Sequence, residues 1–85
     1  MKDDYSYMAL ALEEANLAAR RDEVPIGAVI VDIDSGEILA QNGNRTLEMR
    51  DPTAHAETLV IREACGIKGA QRIPECDLFV TLEPC

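Results

Sequence analysis

The 85 residues predict an α/β fold in the order α-β-β-α-β. Three observations carry that expectation: a helical recurrence of apolar residues near the start, a β-branched apolar run followed by a turn signal and a short second arm, and a second helical pattern followed by a third strand-like run. A crossover from the second strand to the third gives the order 2-1-3, in a mixed sheet.

From Ser6 to Arg21, Met8, Ala11, Leu12, Ala15 and Ala19 form an apolar stripe, with Glu13, Glu14, Arg20 and Arg21 mostly off it. Asp22-Glu23 breaks the pattern. Val24 to Val31 is then nearly continuously apolar, as expected of a strand buried on both faces. Asp34-Ser35-Gly36 is turn chemistry, so Glu37 to Gln41 pairs back as the second arm of a hairpin. Asn42 to Met49 has no period and reads as a loop. Asp51-Pro52-Thr53 offers a capping side chain and a proline suited to a first helical position, which starts a helix at Ala54. Leu59, Val60, Ile61 and Ala64 are its residues for burial, and Gly66 ends it. Leu78 to Leu82 is the third strand, and Glu83-Pro84 opens a further helix. The chain contains no internal repeat, low-complexity tract or linker.

Length permits one small domain and no more. The chain stops directly after an apolar run, which reads as a fold cut short. Sixteen Asp and Glu against eight Lys and Arg give a net charge of -8. That balance excludes a nucleic-acid surface built from this segment alone. The amino terminus lacks a basic segment followed by an apolar one, and no apolar run reaches the ~20 residues that span a bilayer. Cys65, Cys76 and Cys85 are odd in number and irregular in spacing, which fits thiols or metal ligands in a reducing compartment. A cytoplasmic protein without a membrane partner is the expectation.

The residues that carry chemistry are His55, Glu57 and Cys85. A helix from Ala54 to Cys65 takes the chain roughly 18 Å away, and the returning strand brings it roughly 17 Å back. Cys85 can therefore lie beside His55, each in the first turn of a helix, where a thiol's pKa falls. Imidazole and thiolate are zinc ligands. Cys65 is roughly 15 Å along the helix from His55 and Cys76 lies at the far end of the third strand, so neither joins them. Two ligands remain where a catalytic zinc takes three from protein. Taken alone, Glu57 is a carboxylate at a helix start, Asn44 a turn residue, and Ile26 a core residue.

Four blocks change those readings: Glu23-Val24-Pro25-Ile26-Gly27-Ala28-Val29, Asn44-Arg45-Thr46, Asp51 to Glu57 through Ala54-His55-Ala56, and Val80-Thr81-Leu82-Glu83-Pro84-Cys85. In this order they resemble the zinc-dependent nucleoside and base deaminases, most closely the bacterial tRNA-specific adenosine deaminase branch, whose signature is His-x-Glu followed by Pro-Cys-x-x-Cys. The resemblance implies a cytidine deaminase-like three-layer α-β-α fold, of which residues 1–85 would be the amino-terminal portion, incomplete at the carboxy terminus. It implies Zn2+ held by His55, Cys85 and a third cysteine three positions later, which this chain does not contain. Glu57 is then the catalytic proton carrier. Asn44 and Ile26 contact the substrate, and the main chain of Ala56 contacts the base.

The reaction implied is hydrolytic conversion of adenosine to inosine in a tRNA anticodon, by a homodimer whose RNA contacts come partly from residues outside this segment. A deaminase of cytosine, guanine or a free nucleoside shares the chemistry. In a reading of another class, the 85 residues alone are an inactive fragment or interaction module, with the apolar edge of the third strand open to association.

Overall fold

A computed structural model describes residues 4–68 and 75–81. Its elements are α1 (Asp4–Arg20), β1 (Gly27–Asp32), β2 (Ile38–Gly43), α2 (Thr46–Met49), α3 (Ala56–Lys68) and β3 (Cys76–Val80). The sheet order is β2-β1-β3, as expected. Both ladders are antiparallel, so the parallel pairing of a mixed sheet is not present among the described residues. Gly27 pairs with Gly43, and Ala28 with both Asn42 and Val80. The anticipated further helix at Glu83-Pro84 lies outside the described residues.

The sheet has a helix on each face. Ala28 and Ile30 of β1 point to α3, where they pack with Ala40, Ala56, Val60 and Ala64. Val29 and Val31 point the other way, to Tyr7 and Ala11 of α1. Every residue of β1 from Gly27 to Val31 is buried, so both faces of this strand are dry. Full burial of a valine or isoleucine contributes about 1.5–3 kcal/mol, which makes the central strand the stabilising axis of the domain. Tyr7 adds a ring contact with Phe79, centroids 5.3 Å apart, and donates its hydroxyl to the Gly36 carbonyl at 2.9 Å. Among the described residues no helix is long and apolar enough to cross a membrane.

The buried stripe of α1 is rotated from the expected one. Tyr7, Ala11, Ala15 and Ala18 face the sheet, while Met8, Leu12 and Ala19 are exposed. The reason is steric. A Cβ on Gly27 would lie 1.9 Å from the Ala11 carbonyl oxygen, and one on Gly43 would lie 2.7 Å from that of Glu14. Over Gly27 and Gly43 the helix runs so close to the sheet that only alanine-sized side chains fit between them; Leu12 and Leu17 are turned outward, while Tyr7 and Leu10 pack where the helix stands further off.

Further boundaries differ from expectation: β2 runs Ile38–Gly43 and not Glu37 to Gln41, and β3 starts at Cys76 and not at Leu78. β1 starts at Gly27 and not at Val24, which is exposed. α3 starts at Ala56 and not at Ala54, because Asp51 Oδ1 accepts the Thr53 N–H at 2.8 Å and the Thr53 hydroxyl at 2.6 Å. The Asp51 carbonyl accepts the Ala54 N–H at 3.0 Å, so Asp51 closes a turn and does not cap the helix. At its other end α3 runs through Gly66 to Lys68.

The segment expected as a loop, 42–49, contains the end of β2 and the single turn α2. A turn this short cannot satisfy its own first N–H groups. Glu23 does so from a distance: its buried carboxylate accepts the Thr46 hydroxyl at 3.1 Å, the Leu47 N–H at 3.0 Å and the Glu48 N–H at 2.9 Å. Glu23 arrives there through the end of α1, where its N–H reaches the Ala18 carbonyl and the Asp22 N–H reaches that of Ala19, both at 3.0 Å. Asp22 is left-handed at φ 63°, so the pair forms a Schellman turn that reverses the chain toward α2.

Burial pushes the Glu23 carboxyl up, but the Glu48 and Leu47 amides, the Thr46 hydroxyl and the Arg21 charge together hold it below its ordinary 4.5. Because the folded value is depressed, this contribution to stability is complete above about pH 4.5 and is lost as pH falls through the folded value. In urea titrations of the chain, the loss of stability below pH 4.5 is expected to be shallower for E23Q than for wild type. Two glycines are expected to respond with opposite signs. G27A should cost about 3 kcal/mol or more, since the blocking atom is backbone. G66A should add about 0.5–1 kcal/mol, since a Cβ there meets nothing within 4 Å and the position is helical.

Candidate functional site

One end of the sheet collects the start of β1, the end of β2, the exit from β3 and the start of α3. Gly27 donates its N–H to Thr81 Oγ1 at 2.9 Å, and the Thr81 N–H returns to the Gly27 carbonyl at 2.9 Å. Thr81 is buried, so this pair fixes where the chain leaves β3. On the other side of β1, the Asn44 N–H donates to the Ile26 carbonyl at 3.1 Å.

Asn44 is buried and ties this end to α3. Its Oδ1 accepts the Ala56 N–H at 2.8 Å, and its carbonyl accepts Arg21 Nη2 at 3.1 Å. The first amide of α3 is thus satisfied by a side chain twelve residues upstream. The local candidate for that task, Asp51, is engaged with Thr53. Asp51 is itself held below its ordinary 3.8, first by the Thr53 hydroxyl and then by the Thr53 N–H, with burial opposing and the Arg62 and His55 charges assisting.

The segment between Asn44 and α3 is pinned at several points. The Arg45 N–H reaches the Ala54 carbonyl at 2.9 Å, and the Arg45 side chain bridges Asn42 Oδ1 at 2.7 Å and Glu48 Oε2 at 2.7 Å. Ala54 is buried and anchors the stretch. His55 is exposed and directly precedes α3; its N–H meets the Thr53 carbonyl at 2.8 Å, and its own carbonyl accepts the Leu59 N–H at 3.0 Å. It therefore lies at the helix boundary and not within the first turn.

Five of the six residues singled out in the sequence meet here. Ile26 is half-buried and packs on the cluster that contains Ala56. Asn44 bonds both Ile26 and Ala56, His55 adjoins Ala56, and Glu57 is half-buried in the first turn of α3. The Ala56 N–H, one route to a base contact, is engaged by Asn44. Cys85 lies outside the described residues. Cys76 pairs with Asp32, at the opposite end of β1 from Gly27, and Cys65 is ten residues along α3 from His55, so both stand away from the site as expected. Among the described residues no group of three or more His, Cys, Asp or Glu could hold a metal ion.

Three residues of this end were not singled out: Arg21, Glu23 and Thr81. Arg21 reads only as a polar residue off the stripe of the first helix; Glu23, beyond its place in the first of the four blocks, reads as a break after that helix, and Thr81, beyond its place in the last block, as part of a strand. Their roles depend on contacts across 23 to 54 positions, which leave no local periodicity.

The whole chain, residues 1–85, matches the family described as the cytidine and deoxycytidylate deaminase zinc-binding region. It is 56% identical over 85 residues to the tRNA-specific adenosine deaminase of Agrobacterium fabrum, covering 100% of this chain and 55% of that protein. It is 50% identical over 86 residues to the tRNA-specific adenosine deaminase of Bacillus subtilis, covering 100% and 52%. The chain thus spans about half the length of the curated relatives it matches.

Among solved structures, one from biochemical and structural studies of A-to-I editing by tRNA:A34 deaminases at the wobble position of transfer RNA superposes with a TM-score of 0.87 at 57% identity, covering 95% of this chain and 57% of that one. The guanine deaminase of Bacillus subtilis superposes with a TM-score of 0.89 at 35% identity, covering 99% and 53%. The arrangement of helices on both faces of the sheet is therefore the cytidine deaminase-like fold. With every residue matched and the fold shared, the chain belongs to the cytidine and deoxycytidylate deaminase zinc-binding family.

Proposed function

We propose that these 85 residues are the amino-terminal portion of a hydrolytic zinc deaminase that converts adenosine to inosine at the wobble position of a tRNA anticodon, in the cytoplasm and as a homodimer. The observation that carries the reading is the meeting of Ile26, Asn44, His55, Ala56 and Glu57 at one end of the sheet, in a chain 56% identical to a tRNA-specific adenosine deaminase. The acidic balance of the segment leaves most of the RNA contacts to residues elsewhere in the protein or on the second subunit.

The donor set fits zinc. His55 presents an exposed imidazole at the end of the sheet from which β3 departs, and Cys85 follows Thr81 by four residues, a reach of at most about 14 Å. These two are the proposed ligands, with a third cysteine from beyond this chain. When bound, zinc supplies a water whose pKa is about 7.

The chain's own groups do the rest. Asn44 and Ile26 hold and shield the substrate, the Ala56 carbonyl is the main-chain group left to meet the base once Asn44 has taken the N–H, and the buried Ala56 keeps bulk water from that side. Glu57 carries one proton of the attacking water to a ring nitrogen as the C–O bond forms, and the second to the amino group as the C–N bond breaks. Adenosine and water become inosine and ammonia.

Assembly with the carboxy-terminal half of the Agrobacterium fabrum relative gives the testable form. Inosine should appear in an anticodon stem-loop and not in free adenosine, cytidine or guanine. Turnover on guanine alone would replace this reading with that of the guanine deaminase it resembles. In the same assembly E57Q should retain zinc and lose about 10²–10⁴-fold in kcat, whereas H55A should lose the metal itself, read by elemental analysis. The 85 residues alone should neither retain stoichiometric zinc after dialysis nor turn over.

A further inference from the structure

Arg21 and Glu23 lie on the turn that follows α1, and they grip the same segment from one side. Arg21 Nη2 donates to the Asn44 carbonyl at 3.1 Å. Glu23 takes the Thr46 hydroxyl and the Leu47 and Glu48 amides, two to four positions on. Asn44 in turn takes the first amide of α3. The links are contiguous: α1 turn, residues 44–48, then the helix that opens on Ala56 and Glu57.

We propose that Glu23, with Arg21, is a positioning residue that sets Asn44 and, through it, the start of α3. Three physical points carry this. A buried carboxylate is retained only where its hydrogen bonds offset its desolvation, and Glu23 has three donors, all from α2. Next, α2 is one turn with no buried residue of its own, so polar ties hold it against the domain: the Glu23 carboxylate at its first N–H groups, and the Arg45 bridge from Glu48 to Asn42 on its exposed side. Finally, Asn44 is separated from Thr46 by Arg45 alone, so a shift of α2 moves Asn44 directly. The guanidinium takes part in the same grip: beyond its bond to Asn44 it lies 3.3 Å from where a Gly43 Cβ would be.

That Asn44 serves substrate rests on the function proposed above, but its positioning does not. Amide hydrogen exchange on the full chain, followed residue by residue by NMR, separates the two. In E23A the Leu47 and Glu48 amides lose their acceptor and should exchange faster. The Ala56 amide, which does not touch Glu23, should also exchange about tenfold or more faster, while Val29 and Ile30 of β1 remain protected. E23Q, which keeps one oxygen acceptor without the charge, should fall between.

Acceleration confined to Leu47 and Glu48 would reduce Glu23 to a local cap and overturn the proposal. Uniform acceleration across β1 in both variants would overturn it too, because the effect would be global. In the assembled enzyme, E23Q should raise KM more than it lowers kcat, with zinc content unchanged. An inactive wild-type assembly would count against the deaminase reading and leave the exchange result standing.

Discussion

The close approach of α1 to the sheet governs the rest of the molecule. Backbone meets backbone where Gly27 and Gly43 leave room, and nothing larger than hydrogen fits on either Cα. That contact fixes the height of α1 over the sheet, and with it the point at which the helix ends. The Schellman turn then starts from a defined place, so that Arg21 and Glu23 reach the segment after β2. Alanine at 11, 15 and 18 is the complement of the two glycines: small side chains on one surface require absent ones on the other.

Polar groups buried at this end form a chain of mutual satisfaction. Glu23, Asn44 and Thr81 are the buried polar residues of the described structure, and each accepts hydrogen bonds from backbone amides belonging to a different element. In a dry interior such groups are costly alone and directional when paired. They therefore fix relative positions in a way that apolar packing, which tolerates sliding, cannot. The candidate site lies where this polar framework is densest.

The element order, the sheet order and the double burial of β1 were legible in the sequence because they follow from local pattern: a helical recurrence, an unbroken β-branched run, a turn of Asp, Ser and Gly. His55 and Glu57 were legible as a motif, and Asn44 as part of a second block. The rest is nonlocal. Hydrophobicity alone favours leucine on the buried face of α1, whereas the glycine contact favours alanine. The residues of α2 look like loop because their cap stands 23 positions earlier. Asp51 has a cap's chemistry and spends it on Thr53, so α3 starts two residues later than local pattern suggests. Gly66 has the chemistry of a stop, although tertiary packing through Val60 and Ala64 carries the helix past it.

The capping of Ala56 by Asn44 has a consequence for how the molecule is made. A helix that carries its own cap can begin to form as soon as its residues leave the ribosome. Here the first turn of α3 takes its cap from Asn44, which stands at the end of β2 and is held against β1 through Ile26. A peptide holding only residues 51–68 lacks that acceptor and would fray at the turn that bears Glu57. The chemical end of the helix thus depends for its order on the sheet as well as on its own residues.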